Sequence, residues 1–203
     1  NKTAFNDDIS NWDVSSVTGM YEMFYDAYAF NSDISGWDVS SVTNMRATFE
    51  DCHVFNADIS GWDVSNVTNM LGTFIRSYDF NQDISGWDVS NVTNMQYLFY
   101  QATSFNQDIS GWDISNVTNM HQMFEFPDAL SEENKCAIHL SFSSNDAWIY
   151  DWFGLCSFTD ITQGNIKTAV NLWVDDNATA LSTYGPIRLW DVSLITSMSS
   201  LFQ

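Results

Sequence analysis

The residue types best suited to chemistry are two series of aspartates, each of which recurs every 25 residues. The first series precedes Ile-Ser and comprises Asp8, Asp33, Asp58, Asp83 and Asp108; the second follows Trp and comprises Asp13, Asp38, Asp63, Asp88 and Asp113. Like charges about 5 Å apart in water repel by roughly 0.8 kcal/mol per neighbouring pair. Three forms of compensation are open: Ca²⁺ bound by the second series, turn-forming hydrogen bonds from serine and backbone N–H groups, or a basic protein or glycan partner.

Other residues that could do chemistry do not form a site. His53, His121 and His139 occur singly, without the paired spacing of a zinc site. Signatures of nucleophilic serine, phosphate-binding loops and dinucleotide binding are absent from the sequence. Cys52 shares its place in the repeat with Ala27 and is therefore interpreted as a small packing residue rather than a nucleophile. The sequence predicts no enzyme and no cofactor other than Ca²⁺.

Composition narrows the class of protein further. The 203 residues include 26 acidic and 6 basic side chains, for a formal net charge of −20. Nucleic acid is an unsuitable partner because phosphate binding needs clustered Lys and Arg. With 45% apolar and 16% aromatic residues, the chain is not a disordered acidic tail. Its apolar runs are too short for membrane insertion.

The elements that must position these residues are five copies of a 25-residue repeat, without insertion or deletion. The spacing Trp-x-Val predicts a short strand, and Met-x-x-x-Phe predicts one or two helical turns on the opposite wall. One copy cannot bury its apolar residues alone, so the copies must stack. The sequence therefore predicts an α/β repeat solenoid with a parallel sheet on one face, interrupted by a helical spacer.

One stretch of the repeat resembles a known family. Asp-Val-Ser-Asn-Val-Thr-Asn-Met (88–95), followed by Phe99 and Ala102, resembles the BspA-type leucine-rich-repeat surface proteins, closest to the variant of mycoplasma lipoproteins. The resemblance covers residues 1–129 and 187–203. It implies a right-handed leucine-rich-repeat-like coil, an extracellular or cell-surface location and roles in adhesion, and it carries no catalytic residue.

Three segments follow from this periodicity. Residues 1–129 contain the five repeats, residues 130–186 form the helical spacer, and residues 187–203 begin a further array. In the spacer, Ser131 before two glutamates predicts a helix start, and Ile166, Ala169, Val170 and Trp173 form the apolar stripe of a second helix.

Smaller features predict covalent chemistry and internal bonding. Cys136 and Cys156 both lie in the spacer and predict a disulfide in an oxidising setting. Asn1 and Asn177 are the predicted glycosylation sites. Sequons at positions 66, 91 and 116 belong to the repeat, where a structural use of Asn is favoured. The recurring Asn of Phe-Asn-x-Asp, which begins at Asn6, predicts a hydrogen-bond ladder.

The two ends of the sequence are in phase with each other. Joining end to start would place Phe202 before the next Phe5 at the same spacing as Phe99 and Phe105. We therefore expect one unit of a tandem array or filament; the alternative is a fragment whose ends match by chance or because both were cut from homologous repeats. The expected contact between units joins Phe5, Ile9, Trp12 and Val14 to Trp190, Val192, Met198 and Phe202. A strand at 190–192 is expected to pair with a strand at 12–14 of the next unit.

Two functions remain open at this stage. The favoured one is an extracellular structural protein whose partners are copies of itself, stacked end to end. The other is a cell-surface adhesin or binding module for a protein or polysaccharide, with or without calcium. The monotonous Asp, Ser and Trp positions of the predicted sheet face favour the structural function, because a specific binding face would usually vary between repeats.

Overall fold

The structure is a computed structural model that describes residues 2–187, 190–199 and 201. It divides into two compact units, residues 1–153 and 154–203. The helices are α1 (Glu132–Phe142), α2 (Ile166–Asp175) and α3 (Asn177–Tyr184), with short 3₁₀ helices at Lys2–Ala4 and Phe153–Leu155. Among the described residues, no helix has the length and apolar character needed to cross a membrane.

The predicted fold class is wrong. The described residues contain no β-strand, and none of the three α-helices lies within the five repeats. Parallel pairing between repeats is reduced to isolated bridges that join Gly19, Asn44, Asn69, Asn94 and Asn119 in succession. The leucine-rich-repeat-like coil with a parallel sheet is therefore not the fold, and the expected strands at 12–14 and 190–192 are not formed.

Local turns explain why the Trp-x-Val segment is not a strand. In the first repeat, the N–H of Trp12 donates to the carbonyl of Ile9 (3.0 Å). The N–H of Val17 donates in the same way to Val14 (2.8 Å), and both turns recur in the later repeats. Since these N–H groups bond three residues back along their own chain, they cannot pair sideways as a strand requires.

Alternating backbone conformations explain why the Met-x-x-x-Phe segment is not helical. Ala47 and Asp51 have left-handed φ values of 52° and 61°, which a right-handed helix does not allow. The N–H groups of Ala47 and Phe49 consequently donate to the next repeat, at Leu71 and Thr73 (both 2.9 Å). The intervening Thr48 donates within its own repeat, to Met45 (3.2 Å).

Gly72 occupies one of these left-handed positions and provides a test. Its φ is +63°, and an added Cβ would lie 2.6 Å from the Cδ1 of Ile75. We expect Gly72→Ala to lower the free energy of unfolding by about 1–3 kcal/mol, through backbone strain and overpacking. Urea denaturation measures the change. The control is Gly86→Ala, since a Cβ there meets nothing within 4 Å; equal losses in the two variants would contradict the prediction.

The core of the first unit is a continuous column of rings. Phe49 stacks on Phe55, the first residue of the following repeat (4.0 Å between centroids), and on Phe24 and Phe74 at the equivalent positions of the neighbouring repeats (5.5 and 5.7 Å). Each repeat thus buries its apolar side chains against the next repeat. The 25-residue register is a direct consequence, because a shifted repeat would lose every ring contact at once.

The second unit is built on α2 and α3. Ile166, Ala169 and Val170 of α2 are buried together with Ile161 and Leu201, so the apolar stripe predicted from the sequence is confirmed. Helix α3 was not anticipated. Its start is capped by Asp176, whose carboxylate accepts hydrogen bonds from the N–H and hydroxyl of Thr179 (3.2 and 2.6 Å).

Candidate functional site

The aspartates are held by serines two residues further along the chain. One carboxylate oxygen of Asp63 accepts hydrogen bonds from the N–H (3.0 Å) and the hydroxyl (2.6 Å) of Ser65. The first series forms the same motif, for example between Asp58 and Ser60. In the described part of the chain, no group of three or more His, Cys, Asp or Glu residues could hold a metal ion. The turn-forming alternative is confirmed, whereas calcium binding stays a prediction.

These serine bonds also set the acidity of the aspartates. The Ser65 hydroxyl, followed by its N–H, lowers the pKa of Asp63 below its ordinary value. Ser40 has the same effect on the pKa of Asp38. A hydrogen bond to the charged form favours that form, so the carboxylates stay ionised and keep this surface acidic.

The lowered pKa values predict that the stability of the folded state depends on pH. A carboxyl whose pKa is depressed by folding stabilises the folded state above its unfolded pKa, near 4, and the contribution is lost as pH falls through the folded pKa. We expect Ser65→Ala to unfold at a lower urea concentration than the parent at pH 7, with the difference disappearing toward roughly pH 2. The control is Ser104→Ala, whose hydroxyl makes no hydrogen bond with the described residues. A difference independent of pH would contradict this account.

The predicted asparagine ladder is confirmed. The N–H of Asn56 donates to the Oδ1 of Asn31 (2.7 Å), and the N–H of Asn81 donates to the Oδ1 of Asn56 (2.9 Å). Each step spans 25 residues, so the ladder ties every repeat to the one before it. The side chain of each ladder Asn thereby serves as an acceptor at a repeat boundary.

The sequons within the repeats also have the predicted structural use. The side-chain amide of Asn91 donates to the carbonyl of Ser65 (2.8 Å), and positions 66 and 116 repeat this bond. Of the two predicted glycosylation sites, Asn177 is exposed at the first residue of α3, and modification there stays a prediction. Asn1 lies outside the described residues.

The cysteines separate into two kinds. Cys52 is free and buried, and its thiol donates to the carbonyl of Phe24 (3.1 Å). Burial raises the pKa of this thiol well above its ordinary value, so it packs and does not act as a nucleophile. Cys136 and Cys156 are each disulfide-bonded.

Residues 131–152 cover the outer face of the fifth repeat. The N–H of Ser131 donates to the Oδ1 of Asn106 (2.9 Å), which extends the asparagine ladder by one step. The side chain of Asn134 donates to the carbonyl of Asn106 (3.1 Å), as Gln107 does to Asn81. The first turn of α1 therefore takes the place of the next repeat at this edge.

Further along the same face, the side chains of Tyr150 and Asn145 bond to the backbone of the fifth repeat. The N–H of Phe124 donates to the hydroxyl of Tyr150 (2.8 Å), whereas the equivalent N–H of Phe99 donates to the following repeat. Asn145 donates to the carbonyls of Ile114 and Val117 (2.8 and 3.0 Å). Residues 131–152 are therefore a cap, which we call the α1 cap. Sequence reasoning assigned it to the spacer and missed this role.

The outer face of the first repeat, in contrast, is open. Trp12 is 53% exposed, whereas Trp37 in the second repeat is 4% exposed. The Trp37 indole N–H donates to the carbonyl of Ile9 (3.1 Å), but the Trp12 indole has no acceptor among the described residues. A pocket of about 270 Å³ opens here, lined by Lys2, Phe5, Trp12, Met23, Phe24, Tyr25 and Ala27. Ile9 and Val14, expected at the same contact, are already buried.

Residue 187 and residues 190–199, which we call the half repeat, share two turns with the five repeats. The N–H of Trp190 donates to Ile187 (3.3 Å), and that of Ile195 donates to Val192 (3.0 Å), which are the two turns of the repeats. The apolar side chains, however, are uncovered: Val192 is 38% and Met198 is 53% exposed. Trp190 is half-buried, and Phe202 lies outside the described residues.

Within the second unit, other residues cover the side of this half repeat on which a preceding repeat would pack. The Oε1 of Gln163 accepts hydrogen bonds from the N–H groups of Thr196 and Ser197 (both 2.9 Å). It stands where a preceding repeat would offer the carbonyl of its threonine. The Trp190 indole N–H similarly donates to Gly185 (3.0 Å). On the following side, the carbonyl of Thr196 and the N–H of Met198 have no partner among the described residues.

The fold and these edges define a repeat protein in which 25-residue units stack in register and side-chain caps replace missing repeats. Residues 1–74 and 32–136 match a family described as "Mycoplasma protein of unknown function, DUF285", and the chain belongs to this family. No curated protein and no solved structure matches the chain. The resemblance seen in the sequence therefore holds for the mycoplasma-type repeat, whereas its leucine-rich-repeat geometry is overturned by the absence of a sheet in the described residues.

Proposed function

We propose that this protein is an extracellular structural repeat protein that forms extended assemblies by placing repeat upon repeat. The observation that supports the proposal is the recurrence of one set of contacts at every repeat boundary. The N–H of Thr43 donates to Thr18, that of Thr68 to Thr43 and that of Thr93 to Thr68, each at 2.9 Å. A further repeat at the open face would meet the same groups.

The geometry of these boundaries favours extended assemblies over closed ones. The two surfaces of a boundary differ, because donors such as the Trp indole lie on one side and their acceptors lie on the other. Contacts between unlike surfaces are heterologous and do not have to close into a ring.

Repulsion between the acidic flanks favours association through the apolar open edges. The aspartates beside the serine motifs are exposed and ionised, and the formal net charge is −20. Like-charged flanks repel each other, so lateral association is disfavoured while the apolar edge remains available. The disulfide-bonded Cys136 and Cys156 agree with an oxidising, extracellular setting, which the resemblance to surface proteins also implies.

Sedimentation velocity on the 203-residue chain tests the proposal. We expect oligomers that grow with protein concentration, and Trp12→Asp is expected to abolish them by placing a charge on the open face. Phe126→Asp is the matched control, since Phe126 is 54% exposed, as Trp12 is at 53%, but lies far along the stack in the fifth repeat. A chain that stays monomeric up to millimolar concentration would overturn the proposal.

A binding function for a glycan or protein is the second candidate. Tyr28 and His53 of neighbouring repeats stack at 4.3 Å and continue to Tyr78 at 4.7 Å. These residues vary from repeat to repeat; Tyr28 is exposed, and His53 and Tyr78 are half-buried. Aromatic rings supply contact area at a low cost in conformational entropy. Retention on immobilised polysaccharides, with and without a calcium chelator, tests this function; it predicts that Tyr28→Ala lowers retention.

A further inference from the structure

We propose that residues 154–186 cap a repeat stack on the side that precedes the half repeat, and that this half repeat docks on the open first repeat of a second copy. This inference rests on the proposed function and names the two surfaces that meet. Each compact unit contributes one closed edge and one open edge. The first unit is closed after its fifth repeat, and the second unit is closed before its half repeat.

The two open edges match in register. If the half repeat of one copy takes the place of a repeat before the first repeat of another copy, Trp190 lies next to Trp12 and Thr196 lies next to Thr18. The half repeat shares two turns with the five repeats, closed by the N–H groups of Trp190 and Ile195.

The polar groups left open on the two edges are complementary. The Trp12 indole N–H would donate to the carbonyl of Ile187, as Trp37 does to Ile9 at 3.1 Å. The N–H of Thr18 would donate to the carbonyl of Thr196, as Thr43 does to Thr18 at 2.9 Å.

A third bond runs in the opposite direction. The N–H of Met198 would donate to the carbonyl of Gly19, as Met20 does to Asn44 at 2.9 Å. Donors and acceptors therefore alternate across this junction in the order found inside the stack.

The apolar groups are complementary as well. Val192 and Met198 are exposed in the half repeat, whereas their counterparts Val39 and Met45 are 1% and 0% exposed. The first repeat offers the pocket lined by Phe5, Trp12 and Phe24 in the place that a preceding repeat would fill. Docking would cover both surfaces and bring Trp12 to the burial of the other four repeat tryptophans.

The caps determine what kind of assembly results. Gln163 and the carbonyl of Gly185 close the stack before the half repeat. Tyr150 and Asn145 bond to the following side of the fifth repeat, where the apolar side chains are already buried. At such a junction the joined repeats would have one cap from each copy.

Site-directed crosslinking tests the register. Gly19 forms a parallel bridge with Asn44 of the next repeat, so Ser197 of a second copy is expected opposite Gly19 at about 5 Å, within the reach of a disulfide. Gly19→Cys and Ser197→Cys proteins are mixed, oxidised with oxidised glutathione and run on a non-reducing gel. Native cysteines do not interfere, because Cys52 is buried and the other two are already bonded.

We expect the mixed dimer to form at least ten times faster than with Ser193→Cys in place of Ser197→Cys, since residue 193 is exposed but out of register. Concentration-dependent association without this preference would overturn the docking assignment and leave the proposed function standing. Absence of association would overturn both. Rapid crosslinking of Gly19→Cys alone would show that two first repeats meet face to face, which also contradicts the assignment.

Discussion

Replacing Trp87 with alanine is expected to lower the free energy of unfolding by about 3–5 kcal/mol, as found for buried large-to-small substitutions. Trp87 is 4% exposed, packs on Phe74 (6.3 Å) and donates its indole N–H to the carbonyl of Ile59 (3.1 Å). The variant loses ring contacts within the stack and leaves that carbonyl without its indole donor. Urea denaturation followed by circular dichroism measures the change.

The control is Trp12, which has the same position in the first repeat as Trp87 has in the fourth. Trp12 is 53% exposed and its indole has no acceptor among the described residues, so Trp12→Ala is expected to cost less than about 1 kcal/mol, in the range of surface substitutions. The measurement is made at a concentration where the chain is monomeric. A loss under 1 kcal/mol for Trp87→Ala would show that this tryptophan faces solvent.

Replacing Phe142 with alanine is expected to open the stack from its capped end. Phe142 is fully buried in α1 and meets Trp148 edge to face (5.4 Å, 89°). The loss of stability is again expected at about 3–5 kcal/mol. Because each repeat is held by its neighbours, hydrogen exchange should accelerate most in the fifth repeat and least in the first.

Hydrogen exchange with peptide-level mass spectrometry reports this gradient directly. Phe126→Ala is the control, because Phe126 is 54% exposed beside the same repeat and its removal leaves the α1 cap intact. Equal acceleration in all five repeats would mean that Phe142 supports the whole unit and that the α1 cap has no local protective role.

The period and the inter-repeat contacts could be read from the sequence because they are properties of repetition. Identical residues that recur every 25 positions must meet one another when copies stack, whatever the backbone does between them. The asparagine ladder and the columns of Phe and Trp followed from this argument alone. Helices α1 and α2 of the spacer followed from local signals, namely the Ser131 cap and the apolar stripe.

The backbone between those columns could not be predicted, because its determinants are not visible as residue types. Left-handed conformations usually indicate glycine, but here they occur at Glu22, Ala47 and Asp51. Such residues are strained in isolation and are held by the hydrogen bonds that their N–H groups donate to the neighbouring repeat. The spacing of four in Met-x-x-x-Phe therefore suggested a helix, and the spacing of two in Trp-x-Val suggested a strand, although neither forms in the described residues.

By itself, the sequence determined the register of the stack, the columns that fill its core and the acidic character of its flanks, since all three depend only on which residues recur. Only the tertiary structure decided where the stack is closed and where it is open. The closing groups, the hydroxyl of Tyr150 and the amides of Asn145 and Gln163, bond to partners 26 to 34 residues away. They follow no period, so their role exists only once the chain has brought them to an unpaired backbone edge.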